Sequence, residues 1–233
     1  MLVEEQFRKN LGIVRQQIEN AAIRSGRSAD DVQLIAVTKY VDAATTRKLV
    51  AAGATVLGEN RPQLLEEKAN DLADLDVEWH MIGNLQRNKI RRTLPHARMI
   101  HALDRDSLVD AIAKEAVAQD RVVRCLLEVN VSGEESKHGY APEQVSAAIE
   151  RIIPLPSIKL EGLMCMASLA GNDDDARREF AALRELRDRH SDVKTDNVDL
   201  KELSMGMSGD FEIAIEEGAT IVRVGSALYK DVH

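Results

Sequence analysis

The amino-acid sequence predicts a (β/α)8 TIM barrel with an extra N-terminal helix, an α/β fold carried by a single domain over residues 1–233. Three observations lead there. Short, nearly continuous apolar runs alternate with longer amphipathic ones eight times, as parallel strands covered by helices require. The connections are a few residues long, and no Pro/Gly/Ser-rich stretch divides the alternation. The first apolar run ends in Thr38-Lys39-Tyr40, so the Gly-x-Gly-x-x-Gly turn that an open doubly wound sheet places there is missing. Eight units in about 200 residues suit the closed barrel.

Residues 3–23 place Val3, Phe7, Leu11, Val14, Ile18 and Ala22 on one helical stripe, and Ser25-Gly26 ends it with a glycine suited to a left-handed cap. This is the extra helix, residues 1–25; the barrel is predicted over 33–233. The first strand, 33–38, leads into a helix over 43–52. The second, 55–57, leads into 61–72, where Pro62 fits a first helical turn. The third, 78–82, precedes a helix over 86–93, and the fourth, 98–102, precedes 106–118. The fifth, 122–131, is followed by 142–152. The sixth, 159–166, is followed by 174–190, whose start gathers Asp173-Asp174-Asp175 as the dipole favours. The seventh, 200–204, leads into 209–217, and the eighth is 220–224.

A chain of 233 residues buries about 70–75% of its unfolded surface, enough for a core without staples. Hydrophobic residues at 44% and charged residues at 30% exclude disorder and a disulfide-dense module. Aromatics at 3% call for a core of Leu, Ile, Val, Ala and Met, and leave no stacking platform for single-stranded nucleic acid. The net charge of −8 repels phosphate backbones and anionic membranes. No apolar run approaches the ~20 residues of a membrane span, and residues 1–20 are amphipathic, unlike a secretory signal. A cytoplasmic protein without nucleic-acid or membrane partners is expected. Cys125 and Cys165 lie in apolar runs and read as buried, reduced side chains. His80 and His101 read as satisfied core or rim histidines, and Met164, Met166, Met205 and Met207 as packing. No residue set has metal-ligand spacing, so no metal is expected.

In a barrel of this kind ligands bind where strands run into their following loops. Strand one ends at Lys39, strand two in Gly58-Glu59-Asn60, strand three in His80 and Gly83-Asn84, and strand five in Glu128 and Asn130. Strand seven ends in Ser204-Met205-Gly206-Met207-Ser208-Gly209-Asp210, and strand eight in Arg223-Val224-Gly225-Ser226. Small residues in these last two loops let backbone N–H groups approach an anion, and loops seven and eight form the usual barrel phosphate site. A lysine amine across the same mouth can attack a carbonyl and form a Schiff base. A phosphate-bearing aldehyde is the natural ligand: pyridoxal 5′-phosphate (PLP) as cofactor, or a sugar phosphate in an aldolase.

Five segments then resemble one family. They are Ala36-Val37-Thr38-Lys39, Gly58-Glu59-Asn60-Arg61, the run from Trp79 through Gly83-Asn84-Leu85-Gln86 to Lys89, Leu203 to Ser208, and Val222 to Ser226. In this order they look like the pyridoxal phosphate homeostasis proteins, single-domain barrels similar to the N-terminal domain of alanine racemase. The resemblance implies a PLP-binding protein that acts in cofactor homeostasis and delivery without established turnover. It implies Lys39 as the Schiff-base lysine, Asn60 as a pocket residue and Arg223 facing the pyridine nitrogen. It further implies phosphate contacts from Ser204 or Ser208 and from Gly225 and Ser226.

The alternative is a PLP-dependent amino-acid racemase of the same barrel type. Such enzymes carry a second, β-rich domain with an acid–base tyrosine, and the chain ends nine residues beyond Val224, so none is expected. Tyr40 abuts Lys39 but is expected to point away, because strand residues alternate sides. The expected partners are PLP and apo PLP enzymes as recipients, and the expected state is a monomer.

Overall fold

A computed structural model describes residues 3–134, 136–168 and 171–232; residues 1, 2 and 233 of the predicted domain lie outside the described residues. The strands are β1 (Gln33–Val37), β2 (Val56–Glu59), β3 (Glu78–Met81), β4 (Met99–Leu103), β5 (Val123–Glu128), β6 (Ile158–Met164), β7 (Val198–Ser204) and β8 (Ile221–Val224). They pair in chain order, all parallel, and β8 closes onto β1 with Gln33 opposite Ile221 and Ala36 opposite Val224. The helices are α1 (Val3–Arg24), α2 (Ala43–Ala51), α3 (Pro62–Asp71), α4 (Ile90–Thr93), α5 (Asp106–Ala118), α6 (Val145–Ile152), α7 (Asp173–Arg189) and α8 (Phe211–Glu216). The predicted (β/α)8 barrel is the observed fold.

Continuous apolar strands are needed because both faces are covered. Ile35, Met99, Ala102, Leu126, Met164 and Ile221 form a small cluster inside the barrel. Their neighbours Ala36, Ile100, Cys125, Leu163 and Val222 join the larger core under the helices. Both cysteines are free and buried, and burial pushes the Cys165 thiol up to about 12.

The extra helix has a definite place. β8 is followed by a 3-10 turn over Ser226–Tyr229, and α1 packs between α2 and α8, where an eighth outer helix would lie. Its stripe buries Phe7, Leu11, Val14 and Ile18, each contributing roughly 1.5–3 kcal/mol. Asn10 Nδ2 donates to the carbonyls of Leu228 and Lys230 at 2.9 and 2.8 Å, tying the chain's end to its beginning. Gly26, at φ +72°, closes the helix as expected: Arg27 N–H donates to Ala22 O and Gly26 N–H to Ile23 O, at 2.8 and 3.0 Å.

Most boundaries shift by one to three residues, and two of the differences have a clear local cause. The helix predicted over 86–93 is a 3-10 turn, Arg87–Lys89, and the single turn α4, since only Ile90 and Leu94 are apolar and buried there. β5 stops at Glu128 because the Asn130 side chain turns the chain, with Oδ1 accepting from Ser132 Oγ and Gly133 N–H, both at 3.1 Å.

Candidate functional site

Lys39 stands in a turn directly after β1, half-buried, and the turn is braced from below. The Glu59 carboxylate at the end of β2 is fully buried. It accepts from Lys68 Nζ of α3 at 2.5 Å, Thr38 Oγ1 at 3.1 Å and the Asn60 N–H at 3.1 Å. Lys68 Nζ also donates to the Thr38 carbonyl at 2.7 Å. One ion pair with 5% and 0% side-chain exposure therefore holds the residues before Lys39 and the backbone of Asn60 together. Gly83 permits this closeness: a Cβ there would lie 2.5 Å from Asn60 O. The Asn60 Oδ1 is buried and accepts no hydrogen bond from the described residues.

The opposite wall comes from the loops after β7 and β8. Gly206, at φ +92°, turns the first loop, and a Cβ on it would meet Ala214 Cβ at 2.6 Å. Its carbonyl accepts from Arg223 N–H at 3.0 Å, and Met207 N–H donates to Asp210 Oδ1 at 2.5 Å. The backbone N–H groups of Gly225 and Ala227 converge on Ser208 Oγ at 3.0 and 3.4 Å. Two donors aimed at one oxygen are the geometry that binds a phosphate oxygen.

Between these walls lies a cavity of about 1280 Å³. It is lined by the predicted residues Lys39, Asn60, Ser208, Arg223, Gly225 and Ser226, together with Tyr40, Lys48, Arg61, Met166, Met207 and Tyr229. Among the described residues, four of the lining side chains are cationic and none is a carboxylate, a positive site in a chain of net charge −8. An anionic ligand is the electrostatic match. Arg223, 4% exposed, donates from Nη1 to Ser204 Oγ at 2.5 Å and from Nη2 to Cys165 O at 2.9 Å, so its orientation is fixed. Burial draws its pKa down from the ordinary arginine value, yet a guanidinium stays charged.

Two expectations are corrected. Ser204 does not reach the cavity: it is fully buried, its hydroxyl held between Arg223 and His101 Nδ1 at 2.9 Å, because β7 runs through Ser204 and directs it into the barrel. Ser208 is the serine at the mouth. Tyr40 does not point away from Lys39, because the strand ends at Val37 and alternation ends with it. The Lys39 ammonium lies over the Tyr40 ring, 4.8 Å from its centroid, and makes no hydrogen bond or ion pair among the described residues. Met164 and Met205 pack in the core as expected, whereas Met166 and Met207 line the cavity.

Tyr229 was not expected. Its ring packs edge-on against Phe7 at 5.6 Å, and its hydroxyl is buried at the cavity without a partner among the described residues. Burial, and then the nearby Glu59, push its pKa up, so the phenol keeps its proton. Glu128, 1% exposed, is pushed up to about 7 by burial and then by Asp104, with Arg223 opposing.

Comparison with known proteins agrees with the fold. The family profile described as "Alanine racemase, N-terminal domain" matches residues 10–232. The pyridoxal phosphate homeostasis protein of Aquifex aeolicus is 43% identical over 221 residues, 95% of this chain and 96% of that protein. A solved structure of an unknown protein from Bifidobacterium adolescentis superposes with a TM-score of 0.92 at 37% identity, covering 97% of this chain and 95% of that one. PipY of Synechococcus elongatus, solved with PLP bound, superposes with a TM-score of 0.84 at 32% identity, covering 96% and 99%. The chain belongs to the pyridoxal phosphate homeostasis protein family, within the alanine racemase N-terminal-domain family.

Proposed function

We propose that this protein binds PLP at the C-terminal mouth of the barrel, holds it as a Schiff base on Lys39, and acts in its intracellular storage and delivery without turnover of its own. The observation that carries this reading is the pairing, across one cationic cavity, of an amine without hydrogen bond or ion pair among the described residues with two backbone N–H groups that converge on one oxygen. When bound, PLP supplies an aldehyde for imine exchange and a pyridine ring as electron sink.

The residues fit the group. Lys39 would hold the aldehyde end, its Nζ supplying the amine for a C=N bond formed with loss of water. Gly225 and Ala227 N–H, with the Ser208 and Ser226 hydroxyls, would take the phosphate, and Ser204 is withdrawn from that role. Asn60, with a buried oxygen that lacks a donor among the described residues, would take a hydroxyl on the ring. Arg223 would face the pyridine nitrogen. A guanidinium cannot give up its proton, so it keeps that nitrogen an acceptor and weakens the electron sink. That suits a carrier. Titrating the apo protein with PLP tests the reading: a visible absorption band should appear with one equivalent and be absent in Lys39→Ala. An identical band in that variant would refute it.

One observation keeps the racemase reading in view: the Tyr229 hydroxyl sits at the same cavity as Lys39. A racemase needs an acid and a base on opposite faces, each worth ~10²–10⁴-fold. A phenol that retains its proton can donate but is a poor base, which favours the carrier. Amino-acid α-proton exchange that depends on both Lys39 and Tyr229 would reverse that preference.

A further inference from the structure

The barrel interior holds a row of polar side chains that the cofactor reading does not use. Glu78 opens β3 at the end of the barrel away from the cavity, beside a second, smaller hollow of about 370 Å³. Its Oε1 lies 2.8 Å from His80 Nε2. His80 Nδ1 lies 2.8 Å from His101 Nε2, and His101 Nδ1 lies 2.9 Å from Ser204 Oγ. Ser204 Oγ accepts from Arg223 Nη1 at 2.5 Å. His80, His101, Ser204 and Arg223 are all at most 4% exposed. A continuous chain of hydrogen bonds thus crosses the barrel, from one rim to the arginine that lines the cavity at the other.

With one proton on each ring, chemistry gives this chain a single direction. A guanidinium only donates, and an ionised carboxylate only accepts. Glu78 is held below the usual carboxylate range, first by its hydrogen bond with His80. With one Ser204 lone pair taken by Arg223, the Ser204 O–H is left to donate to His101 Nδ1. His101 then carries its proton on Nε2 and donates to His80 Nδ1, and His80 carries its proton on Nε2 and donates to Glu78. The opposite order would leave the serine proton without an acceptor and set a ring lone pair against the carboxylate. Burial above all holds His101 well below the usual histidine range, in keeping with a single ring proton.

We propose that His80 and His101 are positioning residues: with Ser204 they form a one-way relay through which Glu78 fixes the Arg223 guanidinium, and so the electronic state of the ring it faces, from the far end of the barrel. Only the effect on the ring rests on the function proposed above; the relay and its hold on Arg223 do not.

The test combines two readouts on the full chain. Nitrogen-15 NMR of labelled histidine in the apo protein should give both His80 and His101 as Nε2–H tautomers, and Nδ1–H on either ring overturns the proposal. Glu78→Leu, which removes the acceptor, should shift the Arg223 guanidinium resonance, whereas Glu78→Gln, whose carbonyl still accepts, should restore it. In PLP-loaded protein, Glu78→Leu and His101→Phe should displace the visible band and weaken retention by about 2- to 30-fold, a span typical of coupling between distant sites. Glu78→Gln should match the parent. Folded variants with unchanged Arg223 resonance, band and retention would overturn the relay. Should a variant not fold, the tautomers in the parent protein still decide the matter. If the parent binds no PLP, the function proposed above fails while the tautomers and the Arg223 resonance continue to judge the relay.

Discussion

Replacing Lys68 by Met should destabilise the fold far more than the loss of one lysine suggests. The Lys68–Glu59 pair has 5% and 0% side-chain exposure at 2.5 Å, so the substitution leaves a carboxylate fully buried with its cation gone. It also strips the Thr38 carbonyl of its 2.7 Å donor. Breaking a buried pair from one side costs roughly 3–5 kcal/mol, because the remaining charge stays desolvated. That is about two to four orders of magnitude in the folding equilibrium, against a typical total of roughly 5–15 kcal/mol. At about 2–4 °C per kcal/mol for a chain of this size, the melting temperature should fall by roughly 6–20 °C. The double substitution Lys68→Met with Glu59→Gln removes the orphaned charge and should recover more than half of the loss. Lys39 rides on the same support, so PLP uptake should fall in the single variant and partly return in the double. Urea unfolding of the parent, single and double variants measures these steps. A single variant within 1 kcal/mol of the parent, or a double variant less stable than the single, would refute the reasoning.

Four further outcomes follow. Gly206→Ala combines φ +92° with a Cβ placed 2.6 Å from Ala214 Cβ and 2.9 Å from Phe211 Cα; it should cost roughly 2–4 kcal/mol by thermal unfolding. At Gly225 a Cβ comes no nearer than 3.4 Å, to Val37 Cβ, so Gly225→Ala should fold normally, while Gly225→Leu should block approach to the N–H pair and weaken PLP retention in equilibrium dialysis. Glu128 binds its proton up to about pH 7 when folded and up to about 4.5 when unfolded, so the native state holds more protons across that window. Stability should therefore fall by up to about 3 kcal/mol as pH rises from about 4.5 to 7, and Glu128→Gln should abolish that slope in urea titrations. Alanine or serine mixed with loaded protein in D2O should show negligible α-exchange by NMR, and the loaded protein should activate an apo PLP enzyme. Rapid exchange lost in Lys39→Ala would restore the racemase.

The barrel was legible because its strands are apolar on both faces and its helices carry one stripe each, so period alone separates them. The site was legible wherever a polar or small residue interrupts a strand end: Lys39, Asn60, Arg223 and the glycine-serine loops all lie at the cavity. The different placement of Ser204 and Ser208 was not, because it turns on where β7 ends, and a boundary error of one residue reverses the face. Tyr40 was misread for the same reason, the strand stopping at Val37. Lys68 reads as an ordinary helix-surface cation, and only the closed barrel brings it beneath Thr38 and Glu59. Tyr229 lies in a turn without periodic signal, and its burial depends on α1 folding back from the far end of the sequence. The relay joins residues from β3, β4, β7 and β8, and no local pattern announces such a juxtaposition.

The covalent attachment at Lys39 is tested most directly by borohydride reduction of freshly loaded protein, followed by digestion and mass mapping of peptides. The pyridoxyl mass should appear on the peptide containing Lys39, in close to one equivalent, and should be lost when Lys39 is replaced by Ala. A stoichiometric adduct on Lys48, Lys68 or any other lysine, with Lys39 unmodified, would contradict the account.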